Sequence, residues 1–149
     1  MGKHITVIEN AVYKNFGNNF QRDKFKNYNF LKLYLVELKF KDSGETFHKI
    51  GITSKMDAAE RFTPNEYRPN YIMFEQPVRV LASAILPVDK AFEWEEYFHN
   101  KYPKNIHIKE FFTGISEATL LNKSERFYCI RKIMDLNKEY KLKRFKSRL

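Results

Sequence analysis

Two β-rich runs separated by a short turn constrain this chain most. "FLKLYLVELKF", residues 30–40, is apolar on both faces and rich in strand-forming side chains. "KDSGE" follows, with the turn residues Asp42, Ser43 and Gly44, and "TFHKIGIT", residues 46–53, runs back. Such a pattern specifies a β-hairpin. Its second strand carries an anomaly: Lys49 and Gly51 stand beside Ile50 and Ile52. Glycine weakens a strand interior, so either the backbone bulges there or something approaches it closely.

The rest of the chain supplies further elements. "HITVI", near the start, suits a short strand. Residues 1–29 otherwise read as a basic aromatic arm, whose Asn/Gly-dense "KNFGNNFQ" opposes a long helix. "SKMDAAERF" predicts a short helix capped by Ser54 or started at Asp57, followed by a loop at 63–70 between Pro64 and Pro69. A third strand is expected over 78–86, then a helix over about 88–102 ending before Pro103. "EATLLNKSERFYCIRKIMDLNKEY" is helical by pattern, with Leu120, Phe127, Ile130 and Met134 in its apolar stripe and a break near Asn122–Ser124. The expected fold is α+β: a small three-stranded antiparallel sheet flanked by helices, with basic N- and C-terminal extensions. The core would span 30–114, a helical segment 115–141, and a basic tail 142–149.

Charge placement narrows the partners. The net charge is +9, and residues 1–30 and 137–149 carry most of it, leaving 31–136 near neutral. Basic ends suit polyanions such as nucleic acid; a solubilising tail is the bland alternative. Exposed rings in the arm could stack on bases or pin the arm to the core. Cys129 is the single cysteine, so no internal disulfide can form, and its helical position reads as core. No run reaches the ~20 apolar residues that span a bilayer, and "MGKHITVIEN" lacks a secretory signal's apolar core. The expectation is a soluble cytoplasmic protein.

One carboxylate is out of place. In "AFEWEEYFHNKY" the helical period puts Ala91, Trp94, Phe98 and Tyr102 on one stripe, and Glu95 lies within it. His99 follows one turn later on the same side. An inward carboxylate is costly unless it is paired or binds a metal. A salt bridge to a core lysine or arginine, or snorkelling at the edge of the stripe, is the structural reading of Glu95.

Taken in order, these residues resemble the GIY-YIG endonuclease superfamily. "KLY", Lys32-Leu33-Tyr34, matches the first motif through its tyrosine, and "KIG", Lys49-Ile50-Gly51, matches the second with lysine in place of tyrosine. The helix arginine of the family falls on Arg61 and its metal-binding glutamate on Glu95. "WEEYFHNKY" and "EFF", Glu110-Phe111-Phe112, are similar to a phage and bacterial subgroup. The resemblance covers about residues 31–113 and leaves both ends unexplained.

That resemblance implies hydrolysis of phosphodiester bonds in DNA, with RNA the other candidate, by a monomer or homodimer, phage-encoded in one reading and then working in the host cytoplasm. Tyr34 would be general base on water, and Lys49 would favour its phenolate. Arg61 would bind phosphate through its planar fork. Glu95 would hold Mg²⁺ or Mn²⁺, and His99 would orient Glu95 or assist it. His48 is an alternative for proton transfer, but adjacent strand residues face opposite ways, so only one of His48 and Lys49 can face the site. Gly51 would let a phosphate, or the Arg61 helix, approach the backbone. Tyr67 and Arg68 would touch substrate, as would Lys143 and Arg144 in the basic tail. The bland counterparts are a core Tyr34, a solvent-facing Lys49, and an Arg61 paired with Asp57 at i−4. A catalytically silent nucleic-acid-binding or inhibitor protein on the same fold is the competing function.

Overall fold

A computed structural model describes residues 4–8, 23–109, 115 and 117–147, with side chains described up to 143. Glu110, Phe111 and Phe112, the Arg144 side chain and most of the N-terminal arm lie outside the described residues.

The hairpin forms as its sequence demands. Strand β2 (Phe30–Lys39) follows the short strand β1 (Ile5–Val7), and β3 (Thr46–Thr53) pairs antiparallel with β2. Gly44 takes a left-handed φ of 72° in the connecting turn, where a side chain would be strained. β4 (Arg79–Pro87) joins the other side of β2, giving the order β3-β2-β4. The strand that is apolar on both faces is thus the central one, and it is covered on both sides. The expected α+β architecture, a three-stranded antiparallel sheet flanked by helices, is what the chain forms.

Alternation along β2 sorts the core into two halves. Leu31, Leu33, Leu35, Ile50, Ile52, Ala84 and Leu86 face helix α1 (Val88–Lys101) and helix α2 (Lys123–Ser147). Tyr34, Val36, Leu38, Phe40 and Phe47 face the opposite way. They pack against two 3₁₀ segments, Ala58–Phe62 and Pro69–Met73, and against Ile106 and Ile108. Those two isoleucines belong to β5 (Ile106–Ile108), the middle strand of a second small sheet, β1-β5-β6, with β6 at Glu117–Ala118. His4 clasps this sheet to the hairpin turn: its Nε2 meets the Asp42 carboxylate at 2.8 Å.

Three expectations change. The helix after β3 is a 3₁₀ segment, and of its two expected starts it takes Asp57, which caps it by accepting the Ala59 amide at 3.0 Å. Residues 117–118 pair with β5 instead of opening the last helix. Helix α2 begins at Lys123 behind a reciprocal cap in which Asn122 and Glu125 accept each other's backbone amides at 2.9 and 2.8 Å. The buried stripe of α2 is Cys129, Ile133 and Leu136, whereas Leu120, Phe127 and Met134 are exposed. The helix carries two apolar stripes, and docking against β4 selects one of them. No helix among the described residues is long and apolar enough to cross a membrane.

The anomaly at Gly51 has a steric origin. Gly51 stands directly opposite Tyr34, and a Cβ added there would lie 2.5 Å from Tyr34 Oη and 2.8 Å from Cζ. What approaches the Gly51 backbone is the tyrosine ring, in place of the phosphate or arginine helix expected from the sequence. The backbone φ at Gly51 is accessible to any residue, so the requirement is purely one of space. We predict that Gly51→Ala costs about 1–3 kcal/mol through overpacking. In a Tyr34→Ala background the same change becomes neutral or slightly stabilising, because the collision is gone and only the entropic gain remains. Urea midpoints across the double-mutant cycle measure the coupling.

Candidate functional site

Four elements bring four titratable side chains to one place. Tyr34 comes from β2, Lys49 from β3, Arg61 from the first 3₁₀ segment and Glu95 from α1. Tyr34 and Lys49 share a sheet face, because each strand alternates and Tyr34 pairs with Gly51, two residues from Lys49. They are diagonal neighbours, within reach of a long side chain. His48 takes the opposite direction. Its Nδ1 accepts the Leu121 amide at 3.0 Å and its Nε2 lies 3.3 Å from Glu37. It is a structural histidine that ties β3 to the segment before α2.

Glu95 reaches the site around the edge of the sheet. The stripe read from the sequence does turn inward, and Glu95 is only 4% exposed. Its carboxylate accepts the Ile52 amide, on the outer edge of β3. One turn on, His99 Nε2–H donates to the Ile50 carbonyl at 2.7 Å. Further along the same edge, His48 and Thr119 exchange backbone hydrogen bonds of 2.7 and 3.2 Å. Edge strands need such cover.

The electrostatics are unusual. Burial, opposed by Lys49 and Lys104, pushes the Glu95 carboxyl up to about 7. Burial, reinforced by Lys104 and only partly offset by Glu95, brings the Lys49 ammonium down to about 8. Burial also drives Tyr34 well above its ordinary value, against the pull of the Arg61 guanidinium. The cation acting on the Tyr34 hydroxyl is therefore Arg61, and Lys49 acts mainly with Glu95. Arg61 does not pair with Asp57, which is engaged as the cap of its own segment. Arg61 Nη1 is buried and meets no acceptor in good hydrogen-bond geometry among the described residues, with the Tyr71 hydroxyl the polar group beside the guanidinium. An unsatisfied guanidinium nitrogen in such a place suits an anionic oxygen.

Two contributors escaped the sequence reading. Tyr71 is buried, and its hydroxyl lies beside Arg61. Lys104 acts on Glu95, Lys49 and His99 together. Its one sequence signal is Pro103, which ends α1 and turns the chain back past His99. Other expected residues lie apart. Tyr67 is exposed and Arg68 stacks over Tyr71 at 5.8 Å, one ring removed from Arg61. Lys143 pairs with Glu139 at 3.1 Å and covers Tyr140 near the end of α2.

Lys49, Lys104 and Arg61 thus gather with one carboxylate, Glu95, and two phenols, Tyr34 and Tyr71. Such a set can bind an anion and, through Lys49, accept a proton near neutral pH. No cluster of three or more His, Cys, Asp or Glu suited to a metal occurs among the described residues, so a cation bound by protein alone has no cage there. No family model, curated protein or solved structure matches this chain, and the site is read from its own chemistry.

The His99 bond carries a pH signature. Burial brings His99 down to about 4, below its ordinary 6.5, so protonation favours the unfolded chain. The stability from neutral His99 is fully present above about pH 6.5 and is lost as pH falls toward 4. Glu95, raised in the fold, titrates in the opposite sense over an overlapping range, so the comparison must be between variants. His99→Gln keeps a donor for Ile50 but cannot titrate. Its urea midpoint, relative to wild type, should rise by an amount equivalent to about 1–3 kcal/mol between pH 7 and pH 4.5.

Proposed function

We propose that this chain is a metal-dependent endonuclease of the GIY-YIG type that hydrolyses phosphodiester bonds in DNA. The observation that carries this reading is the convergence of Tyr34, Lys49, Arg61 and Glu95, from four elements, with the buried Arg61 Nη1 meeting no acceptor in good hydrogen-bond geometry among the described residues. The order of the same residues along the chain resembles that superfamily.

Each residue has a task that its surroundings support. Arg61 Nη1 binds a non-bridging phosphate oxygen. Tyr34 Oη takes the proton of the attacking water. Its own hydroxyl is too weak an acid to be ionised beforehand, so its proton must leave as it receives one. Lys49, held at about 8 and diagonal to Tyr34 on the same face, is the acceptor, as its neutral amine becomes an ammonium. His99 holds the helix edge that presents Glu95 and so acts as a positioning residue.

Glu95 is the one carboxylate in the set, and the donor chemistry fits a hydrated divalent cation. Mg²⁺ and Mn²⁺ take oxygen ligands, keep several waters, and need as few as one or two protein carboxylates when phosphate supplies the rest. A buried carboxyl raised to about 7, despite Lys49 and Lys104, also gains from a further positive neighbour. The bound ion would neutralise charge on the phosphate and the leaving oxygen.

Plasmid nicking tests the reading. Wild type should nick supercoiled DNA with Mg²⁺ or Mn²⁺ and stop with a chelator. Tyr34→Phe and Glu95→Gln should each lose about 10²–10⁴-fold in rate. If wild type cleaves no better than Glu95→Gln while both bind DNA, the chain is a binding protein on this fold. The pH dependence is fixed by sign. Lys49 must be neutral and Glu95 ionised, so the rate should rise through pH 7–8 and level above it. Lys49→Arg, permanently protonated, should be slow and lack this rise.

A further inference from the structure

The face of the sheet that carries Tyr34 and Lys49 is closed at one end and open at the other. Toward Leu38 and Phe40 it is sealed by aromatic packing. In the other direction β2 continues through Lys32 to Phe30, both on the Tyr34 face by alternation. Thr53 stands opposite Lys32 on β3, and Ile85 stands opposite it on β4. Together with Lys55 and Met56 these residues line a groove of about 160 Å³.

Three apolar side chains of this groove meet solvent together. Phe30 is 42% exposed, Ile85 40% and Met56 89%. Its lining holds two lysines and no acid. Lys32 Nζ donates to the Met56 carbonyl, which fixes the rim. An apolar floor with a cationic rim suits a flat base beside a phosphate. Lys32 and Phe30 lie about 7 and 14 Å from Tyr34 along the strand, the reach of the next one or two nucleotides.

We infer that this groove receives an unpaired base next to the cleaved phosphate, stacked against Phe30 with Lys55 on the adjoining phosphate. The preferred substrate class is therefore DNA with an unpaired strand. In an intact duplex both faces of each base are already stacked and cannot meet Phe30. This inference rests on the nuclease reading for its direction, because it treats the groove as an extension of the Tyr34 site. A second copy of the chain, covering the same apolar floor, is the competing occupant.

Fluorescence anisotropy with a chelator present separates these cases, using a short labelled oligothymidine and a blunt duplex of equal length. Wild type should bind the single strand more tightly. Phe30→Ala should weaken that binding about tenfold, with an unchanged circular dichroism spectrum, and Phe30→Tyr should restore it. Lys55→Gln should reduce the salt slope by about one. Unchanged affinity in Phe30→Ala overturns the inference, as does a wild-type preference for the blunt duplex. If Phe30→Ala unfolds, Phe30→Leu decides: it keeps the apolar bulk without the ring, and wild-type affinity in it overturns the inference. A wild-type dimer that dissociates in Phe30→Ala, with oligothymidine affinity unchanged, overturns it as well. Glu95→Gln should bind oligothymidine like wild type while failing to nick. If no variant or wild type nicks but the Phe30 dependence of binding holds, the nuclease reading falls and the groove stands.

Discussion

Strand β3 lies at the edge of its sheet, and the cover given to that edge organises the molecule. Its outward backbone groups at His48, Ile50 and Ile52 are taken in turn by Thr119, His99 and Glu95. Glu95 and His99 are one helical turn apart, and Ile50 and Ile52 are two strand residues apart. The two spacings are close to equal, about 6 Å on the helix and about 7 Å on the strand. One helix face can therefore satisfy alternate groups of one strand edge. The bonds that seal the edge also fix α1 and bring a carboxylate around to the face that carries Tyr34 and Lys49.

Charge then accumulates where solvent is excluded. Lys49, Lys104 and Arg61 outnumber the single carboxylate, so the buried cluster has a net positive character that suits a polyanion. Burial shifts Glu95 and Lys49 toward each other, to about 7 and about 8. Groups held this close to neutrality can exchange protons at little cost, which a core built for stability alone would not favour. The proposed phosphodiester chemistry gives these shifts a use. The Tyr34 ring over Gly51 adds a steric condition: the phenol can occupy its position only because its cross-strand neighbour lacks a side chain.

Much of this is legible in the sequence. The hairpin, the third strand and the helix carrying Glu95 follow from turn residues, proline positions and periodicity, which are local signals. The inward position of Glu95 was legible for the same reason, since a helix fixes which residues share a face. Less legible were features where two local patterns compete. On α2, Phe127, Ile130 and Met134 form as good a stripe as Cys129, Ile133 and Leu136, and only contact with β4 distinguishes them. Residues 117–118 carry helix-compatible side chains, yet β5 offers them a pairing edge. Lys104 and Tyr71 carried no motif at all.

The sequence by itself determined the antiparallel framework, the oddity of Gly51 and the presence of a carboxylate that must find partners inside. Periodicity suffices for that, because it states which way each side chain turns relative to its own element. Tertiary structure alone decided which groups meet: that the charge pulling on the Tyr34 hydroxyl is the Arg61 guanidinium and not the Lys49 ammonium, that Lys49 and Lys104 both act on Glu95, and that the Tyr34 ring fills the space above Gly51. Electrostatic coupling and steric fit depend on distances between elements remote in the chain, and on how much water is removed between them. Neither quantity is written in any local stretch of residues.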